Sequence, residues 1–390
     1  MTETPYTTRI TAAGHSVTVT SRLLAVTAWS TRYFGPWWNA TVPDDSGTAD
    51  TAGPVVAADV APAEASQLIA VVLDQPHEQI PYAGSTLAHR REVDGTVTAA
   101  QPGQNLAFRY EPAAGRLRVV GAEDTPVATA AARLARELLR GKLLADGWQI
   151  LHASAAVKDG DTVLTLGGKG AGKTTTGLLL ARAGWSLLAN DRVFIRPDTD
   201  NGGLQVLPWS AAAAIGLGLL DALGLYDGVR DRVISGQQLH PTQHQRVTDA
   251  LAEGTRAPPF NDKGKELKPQ FFPDQLTTWL GMTLATEGRA ACVLFPRIRP
   301  DTAPAAVDDG RELTAADFFT EGTEGTEGTE GTEDRYPDVF GLLPAPGDDG
   351  KAQRGGLAHR LSALPRHGVT LGHDTQVNTA FLTDLAGSQP

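Results

Sequence analysis

The stretch VLTLGGKGAGKTTTGLLLAR, residues 163–182, constrains the fold more than any other part of the chain. Gly167, Gly168, Lys169, Gly170, Ala171, Gly172, Lys173 and Thr174 satisfy G-x-x-x-x-G-K-[ST] at every position, and Thr175 follows. An apolar run, TVLTL, precedes the glycines and an apolar run of helical character, TTTGLLLARAG, succeeds them. Strand, glycine loop and helix in that order is the context in which this motif binds phosphate. The glycines let backbone N–H groups curl around a phosphate at a helix N-terminus, Lys173 reaches the outer phosphoryl oxygens, and the Thr174 hydroxyl is a ligand for Mg²⁺. The motif therefore predicts an α/β unit that binds a nucleotide's phosphates with Mg²⁺. The competing reading of these residues is a structural glycine turn.

The flanking segments narrow the class. WSLLAND is a hydrophobic strand that delivers Asp191 at its carboxyl end, where an open α/β sheet presents ligand groups. Asp191 is the candidate metal partner of Thr174; the plainer reading makes it a turn residue. Upstream, a two-residue Asp159-Gly160 turn pairs residues whose numbers sum to 319, which sets His152 opposite Gly167 at the mouth of the loop. His152 is then placed to polarise or sense a transferring phosphoryl, against the alternative of a histidine buried for packing. Other phosphate-loop classes fit less well. ISGQQ at 234–238 loosely resembles the signature of transporter-type ATPases, yet no later apolar strand ends in Asp-Glu, and no Asn-Lys-x-Asp sequence for reading a guanine base occurs.

A formal charge of -11 and a pI near 5.3 argue against a nucleic-acid partner or an anionic membrane surface, both of which need a basic face. No run of 18 apolar residues and no signal-like N-terminus is present, so the expected location is cytoplasmic. Cys292 is alone, which excludes a disulfide framework within one chain.

Along the chain, residues 1–122 alternate short β-like runs, such as SVTVTSRLLAVTAW and QLIAVVLD, with Pro/Gly/Asp-rich connectors, and predict a mostly β accessory domain. The aromatic run from Trp29 to Trp38 reads as core or interface in preference to a ligand site. Residues 123–148 read as a connecting helix, 149–319 as the phosphate-loop domain and 336–390 as its C-terminal part. Between them, 320–335 carries a Thr-Glu-Gly repeat that cannot bury apolar surface and is expected to be a disordered acidic tether. Lys263, Lys265 and Lys268 in DKGKELK fit either a clamp for phosphate or an acidic acceptor, or a solvated loop.

His152 fifteen residues before Gly167, the loop itself, and LLANDRV beyond the following helix together resemble the HPr kinase-like family, phosphate-loop kinases related in fold to phosphoenolpyruvate carboxykinase. The resemblance is concentrated in residues 150–200; VLPWSAAAAIGLG, KGKELKPQFFPDQL and LSALPRHGVTLGHD add looser similarity to relatives found beside peptide-modifying enzymes. It implies a phosphate-loop kinase domain with a mostly β N-terminal accessory domain, ATP and Mg²⁺ as donor and cofactor, a Ser or Thr hydroxyl on a protein or peptide as acceptor, and a tendency to homo-oligomerise. Carried over by position, Lys173 and Thr174 hold nucleotide and metal, His152 matches the family histidine, and Asp191 matches the second residue of its Asp-Asp pair. Asn190 replaces the first, which the family uses as proton acceptor, and an amide cannot take that role. Two expectations follow. One is an active kinase adapted to the amide, in which Asp191 is the base or the acceptor is already ionised. The other is a nucleotide-binding regulatory or scaffold protein without phosphotransfer.

Overall fold

The computed structural model describes residues 4–43, 53–199, 202–307, 311–319, 337–344 and 348–387. The chain divides into two compact units, Met1–Gly147 with Asp334–Pro346, and Trp148–Glu333 with Gly347–Pro390.

The first unit is built on β1 (Tyr6–Ala12), β2 (His15–Ser21), α1 (Leu24–Phe34), β3 (Val55–Val60), α2 (Pro62–Leu73), β4 (Glu78–Tyr82), β5 (Ser85–Arg91), β6 (Val97–Gln101), β7 (Leu106–Glu111), β8 (Arg116–Gly121) and α3 (Asp124–Ala145). Its eight strands form one sheet in the order β1-β2-β3-β8-β7-β6-β5-β4. Two runs with β-like composition are helices. In α1 the buried residues Val26, Thr27, Ser30, Tyr33 and Phe34 fall at helical spacing. In α2 the sequence QLIAVVL is entered through Pro62 in the first turn and Glu64 near the N-terminus, both of which favour helix initiation. The aromatic run is core: Trp38 is buried and stacks on Phe34 with centroids 5.4 Å apart.

The predicted connecting helix is α3, and it belongs to the first unit. Fifteen of its residues are buried, among them Arg136, Glu137 and Arg140. Glu137 bonds Arg136 Nε at 3.1 Å and Arg140 Nη1 at 2.9 Å, and Arg136 Nη1 also donates to the Tyr33 hydroxyl. Burial pushes the Glu137 carboxyl up, but the two guanidinium groups outweigh it and hold it below its ordinary range. Residues 337–344, read from the sequence as part of the C-terminal segment of the phosphate-loop domain, also pack in the first unit. Phe340 meets the Phe108 ring edge-on at 5.9 Å, Arg91 donates to the Val339 carbonyl, and the Asp338 carboxylate accepts from the N–H groups of Leu342 and Leu343. So short a run hides such a strap from sequence patterning, because its docking depends on non-local contacts. The expected tether at 320–335 lies outside the described residues.

The second unit is mixed α/β. Its elements are β9 (Gln149–Leu151), β10 (Ala153–Lys158), β11 (Asp161–Leu166), α4 (Lys173–Arg182), β12 (Ser186–Ala189), β13 (Val193–Pro197), β14 (Leu204–Pro208), β15 (Ala213–Ala214), α5 (Leu217–Ala222), α6 (Tyr226–Ile234), α7 (Gln245–Glu253), β16 (Gln270–Phe271), α8 (Pro273–Thr278), β17 (Thr283–Leu284), β18 (Gly288–Ile298), β19 (Ala305–Val307), α9 (Asp348–Ser362), β20 (Arg366–Leu371) and α10 (Thr375–Gly387). The main sheet runs β17-β12-β10-β11-β18-β14-β13-β9, and β20 joins it on β18 with β19 beyond. It is buried on both faces. Successive residues such as Ala155 and Ala156, or Val293 and Leu294, enter opposite apolar layers, as the strand period requires. One layer holds Leu179 and Leu180 of α4 and Leu382 of α10; the other holds Leu357 and Leu361 of α9. Helix α4 lies close on β10 because Gly177 has no side chain: a Cβ there would stand 2.1 Å from Ser154 Oγ.

Candidate functional site

The hairpin register is the one the sequence predicts. Ala153 pairs with Leu166 and Lys158 with Asp161 across a turn in which Asp159 and Gly160 both have positive φ. His152 therefore stands just before β10, beside the residue where β11 ends and the glycine loop begins. β11 runs parallel to β18, so both carboxyl ends meet at the loop. Gly172 has φ 109° and packs on Ile298 at the end of β18, where a Cβ would come within 2.8 Å of Ile298 Cδ1.

From Gly167 the chain turns through Gly168, with Ala171 N–H bonding the Gly168 carbonyl at 3.2 Å, and enters α4 at Lys173. Lys169 and Gly170 are exposed, whereas Lys173 is buried. Thr176 N–H makes the first helical bond, to Gly172. The N–H groups of Lys173, Thr174 and Thr175 thus have no acceptor within the helix, and the positive end of the helix dipole faces the loop. Lys173 Nζ donates to the carbonyls of Gly167 at 2.7 Å and Gly168 at 3.2 Å. Burial lowers the Lys173 pKa, the charge of Asp191 opposes that shift, and Lys268 adds to it.

Asp191 follows β12 by two residues. Its Oδ1 lies 2.9 Å from His152 Nε2 and its Oδ2 lies 3.7 Å from Arg192 Nε. Burial would raise this carboxyl, but the hydrogen bond and charge of His152, with Arg192 and Lys173, hold it at about 2. Its side chain is nevertheless 56 % exposed, so solvent screens these attractions and their energies are modest. The structure thus brings His152, Asp191 and Lys173 into one electrostatic cluster, with Thr174 and Thr175 on the adjoining helix turn. Asn190, between β12 and Asp191, has its Oδ1 buried without a hydrogen-bond partner.

Arg192 is a member that sequence patterning did not single out. Its guanidinium stacks on Phe319 at 4.8 Å and on Trp209 at 5.7 Å, and Trp209 N–H bonds the Arg192 carbonyl. The sequence signal was its position beside Asp191, but the two aromatic partners come from remote segments.

Among the described residues no group of three or more His, Cys, Asp or Glu side chains could hold a metal ion alone. The residues present fit Mg²⁺ held jointly with phosphate: an ionised carboxylate and a threonine hydroxyl supply the hard oxygen donors this ion takes, and phosphate and water supply the rest. No helix among the described residues is long and apolar enough to cross a membrane.

Comparison with known proteins gives little beyond this. No family model matches the chain, and no curated protein matches it. Among solved structures, the chain is similar to the HPr(Ser) kinase/phosphatase from Coxiella burnetii, with 15% sequence identity and a TM-score of 0.21, covering 43% of this chain and 68% of that one.

Proposed function

We propose that the protein is an ATP- and Mg²⁺-dependent phosphotransferase whose acceptor is a hydroxyl on a protein or peptide, as in the modification of a ribosomal peptide. The observation that carries this reading is the meeting of a glycine loop satisfying the phosphate-binding motif, at the N-terminus of α4, with His152, just before β10, hydrogen-bonded to the ionised Asp191 beyond β12.

The loop amides and Lys173 bind and orient the phosphates, and positioning of this kind supplies most of the acceleration in phosphoryl transfer. Bound Mg²⁺ would be held by Thr174 and Asp191 and would neutralise charge on the phosphoryl oxygens. In transfer, the acceptor oxygen bonds to the γ-phosphorus as the bond from that phosphorus to the bridging oxygen breaks, and the hydroxyl proton leaves. A carboxyl held at about 2 is a poor proton acceptor near neutral pH. His152 is the better one: with Nε2–H donating to Asp191, the other ring nitrogen is left to accept the hydroxyl proton. This assigns the proton to a different residue from the Asp191 base that the sequence alone invites.

The unpartnered oxygen of Asn190 supports the second reading, a nucleotide-binding protein without transfer. Incubating the purified protein with γ-labelled ATP, Mg²⁺ and candidate precursor peptides separates the two. Label in the peptide, lost in a His152→Ala variant that still binds nucleotide, is the expected result. Nucleotide binding with no transfer to any acceptor supports the binding protein.

A further inference from the structure

Arg192, the residue that enters β13, stands where three segments of the second unit converge. β13 pairs with β14 and with β9, so that Val193 lies opposite Pro208 in one and Leu151 in the other. Trp209, the residue after β14, is thereby set beside Arg192, and its N–H bonds the Arg192 carbonyl at 3.3 Å. Phe318 bridges Leu151, and Phe319 N–H bonds the Ile150 carbonyl at 2.8 Å, which carries Phe319 to the same place. Both rings are buried and lie against the guanidinium, Phe319 at 4.8 Å and Trp209 at 5.7 Å. Trp209 is braced in turn by Phe194, stacked at 5.3 Å. The segment that delivers Phe319 also touches the other partner of Asp191, because His152 N–H points to the Asp317 carbonyl at 3.5 Å.

We propose that Arg192 is a positioning residue: clamped by Phe319 and Trp209, it holds Oδ2 of Asp191 while His152 holds Oδ1, and so fixes the orientation of the carboxylate that takes Mg²⁺. The proposal rests on reading Gly167–Thr174 as a phosphate loop and Asp191 as its metal partner. A carboxylate that is 56 % exposed and bonded through one oxygen can swing about that bond; the cation 3.7 Å from its second oxygen removes the freedom. The guanidinium is always charged, planar and weakly hydrated, so two rings can immobilise it without neutralising it. An ion pair with so exposed a partner adds little to folding stability. Its effect is therefore on geometry, and a metal ligand displaced by a fraction of an ångström is felt in both affinity and rate.

The test measures ATP affinity by calorimetry, with Mg²⁺ and with chelator, for the wild type, Arg192→Met, Arg192→Lys, Asp191→Asn and the double variant Arg192→Met/Asp191→Asn. Methionine keeps an apolar stem between the rings without the charge, and unliganded melting midpoints check folding. Arg192→Met should lose about tenfold of the affinity that Mg²⁺ adds, and leave affinity in chelator within about twofold of the wild type. Its turnover at saturating Mg-ATP should fall by up to about 10²-fold. Arg192→Lys should recover part of both. The double variant should bind Mg-ATP no more weakly than Asp191→Asn, because the arginine acts through that carboxylate. Additive losses, equal losses with and without Mg²⁺, or no loss in Arg192→Met each overturn the assignment; the second would make Arg192 a direct contact of phosphate. A wild type that binds Mg-ATP but transfers to no acceptor defeats the kinase reading and leaves the binding cycle to decide this one. A wild type that binds no ATP, or gains nothing from Mg²⁺, overturns the site reading and this assignment with it.

Discussion

Asp191 is the residue on which the site's charge balance turns. Its carboxyl is lowered from its ordinary 3.8 to about 2, so it stabilises the fold at pH values above 3.8, and that contribution is lost as the pH falls toward 2. The melting difference between the wild type and Asp191→Asn should therefore be present at pH 5 to 7 and shrink to nothing as the pH approaches about 2; a difference that persists there would show that the carboxylate acts through packing. Lys173→Ala should abolish the thermal stabilisation given by Mg-ATP, because the phosphates lose the cation built into the loop. His152→Ala should slow single-turnover transfer by about 10²- to 10⁴-fold at unchanged nucleotide affinity. Asn190→Asp is the counter-intuitive case. It sets two acids side by side, but the buried Oδ1 has no donor, so a carboxylate there is desolvated and repels both Asp191 and the phosphates. Turnover should fall by about tenfold, the effect of about 1.4 kcal/mol; a gain would show that the amide merely leaves a base missing. The loop, His152 and Asp191 were legible in the sequence because motif spacing and a two-residue turn are local. Arg192 was not, because Phe319 and Trp209 reach it only through tertiary structure.

Among the elements, α4 shows how a helix is held at the distance the loop requires. Gly177 faces Ser154 of β10, whose hydroxyl donates to the Ala189 carbonyl at 3.1 Å. Gly177→Ala should cost about 1–3 kcal/mol by overpacking, despite alanine's better helix propensity. Ser154→Ala in the same chain should recover part of the loss, because the atom 2.1 Å from the new methyl is the one removed and the next, Ser154 Cβ, is 3.4 Å away. Chemical denaturation of the single and double variants measures it, and strictly additive losses would place the strain elsewhere. β11 and β12 of the second unit could be read from the sequence because each is a short apolar run leading into a glycine or an Asn-Asp pair. α1 and α2 could not be read in the same way, because their β-branched and aromatic residues have strand-like composition. The long-range packing that makes them helical leaves only a weak periodic trace.

At the scale of the whole molecule, the chain visits the first unit, the second, the first again through Asp334–Pro346, and the second once more. Sequence reading ran residues 336–390 on as one C-terminal part of the phosphate-loop domain, because an eight-residue strap at 337–344 carries no pattern of its own. The strap is held by Phe340 and the Val339 carbonyl, while downstream β20 forms a six-residue parallel ladder with β18, from Val293–Arg366 to Ile298–Leu371. A single proteolytic cut within residues 320–333 therefore yields a C-terminal fragment gripped twice, once by each unit. The two fragments should co-elute under native conditions and separate only in denaturant, which makes the acidic repeat a natural split point for fragment complementation.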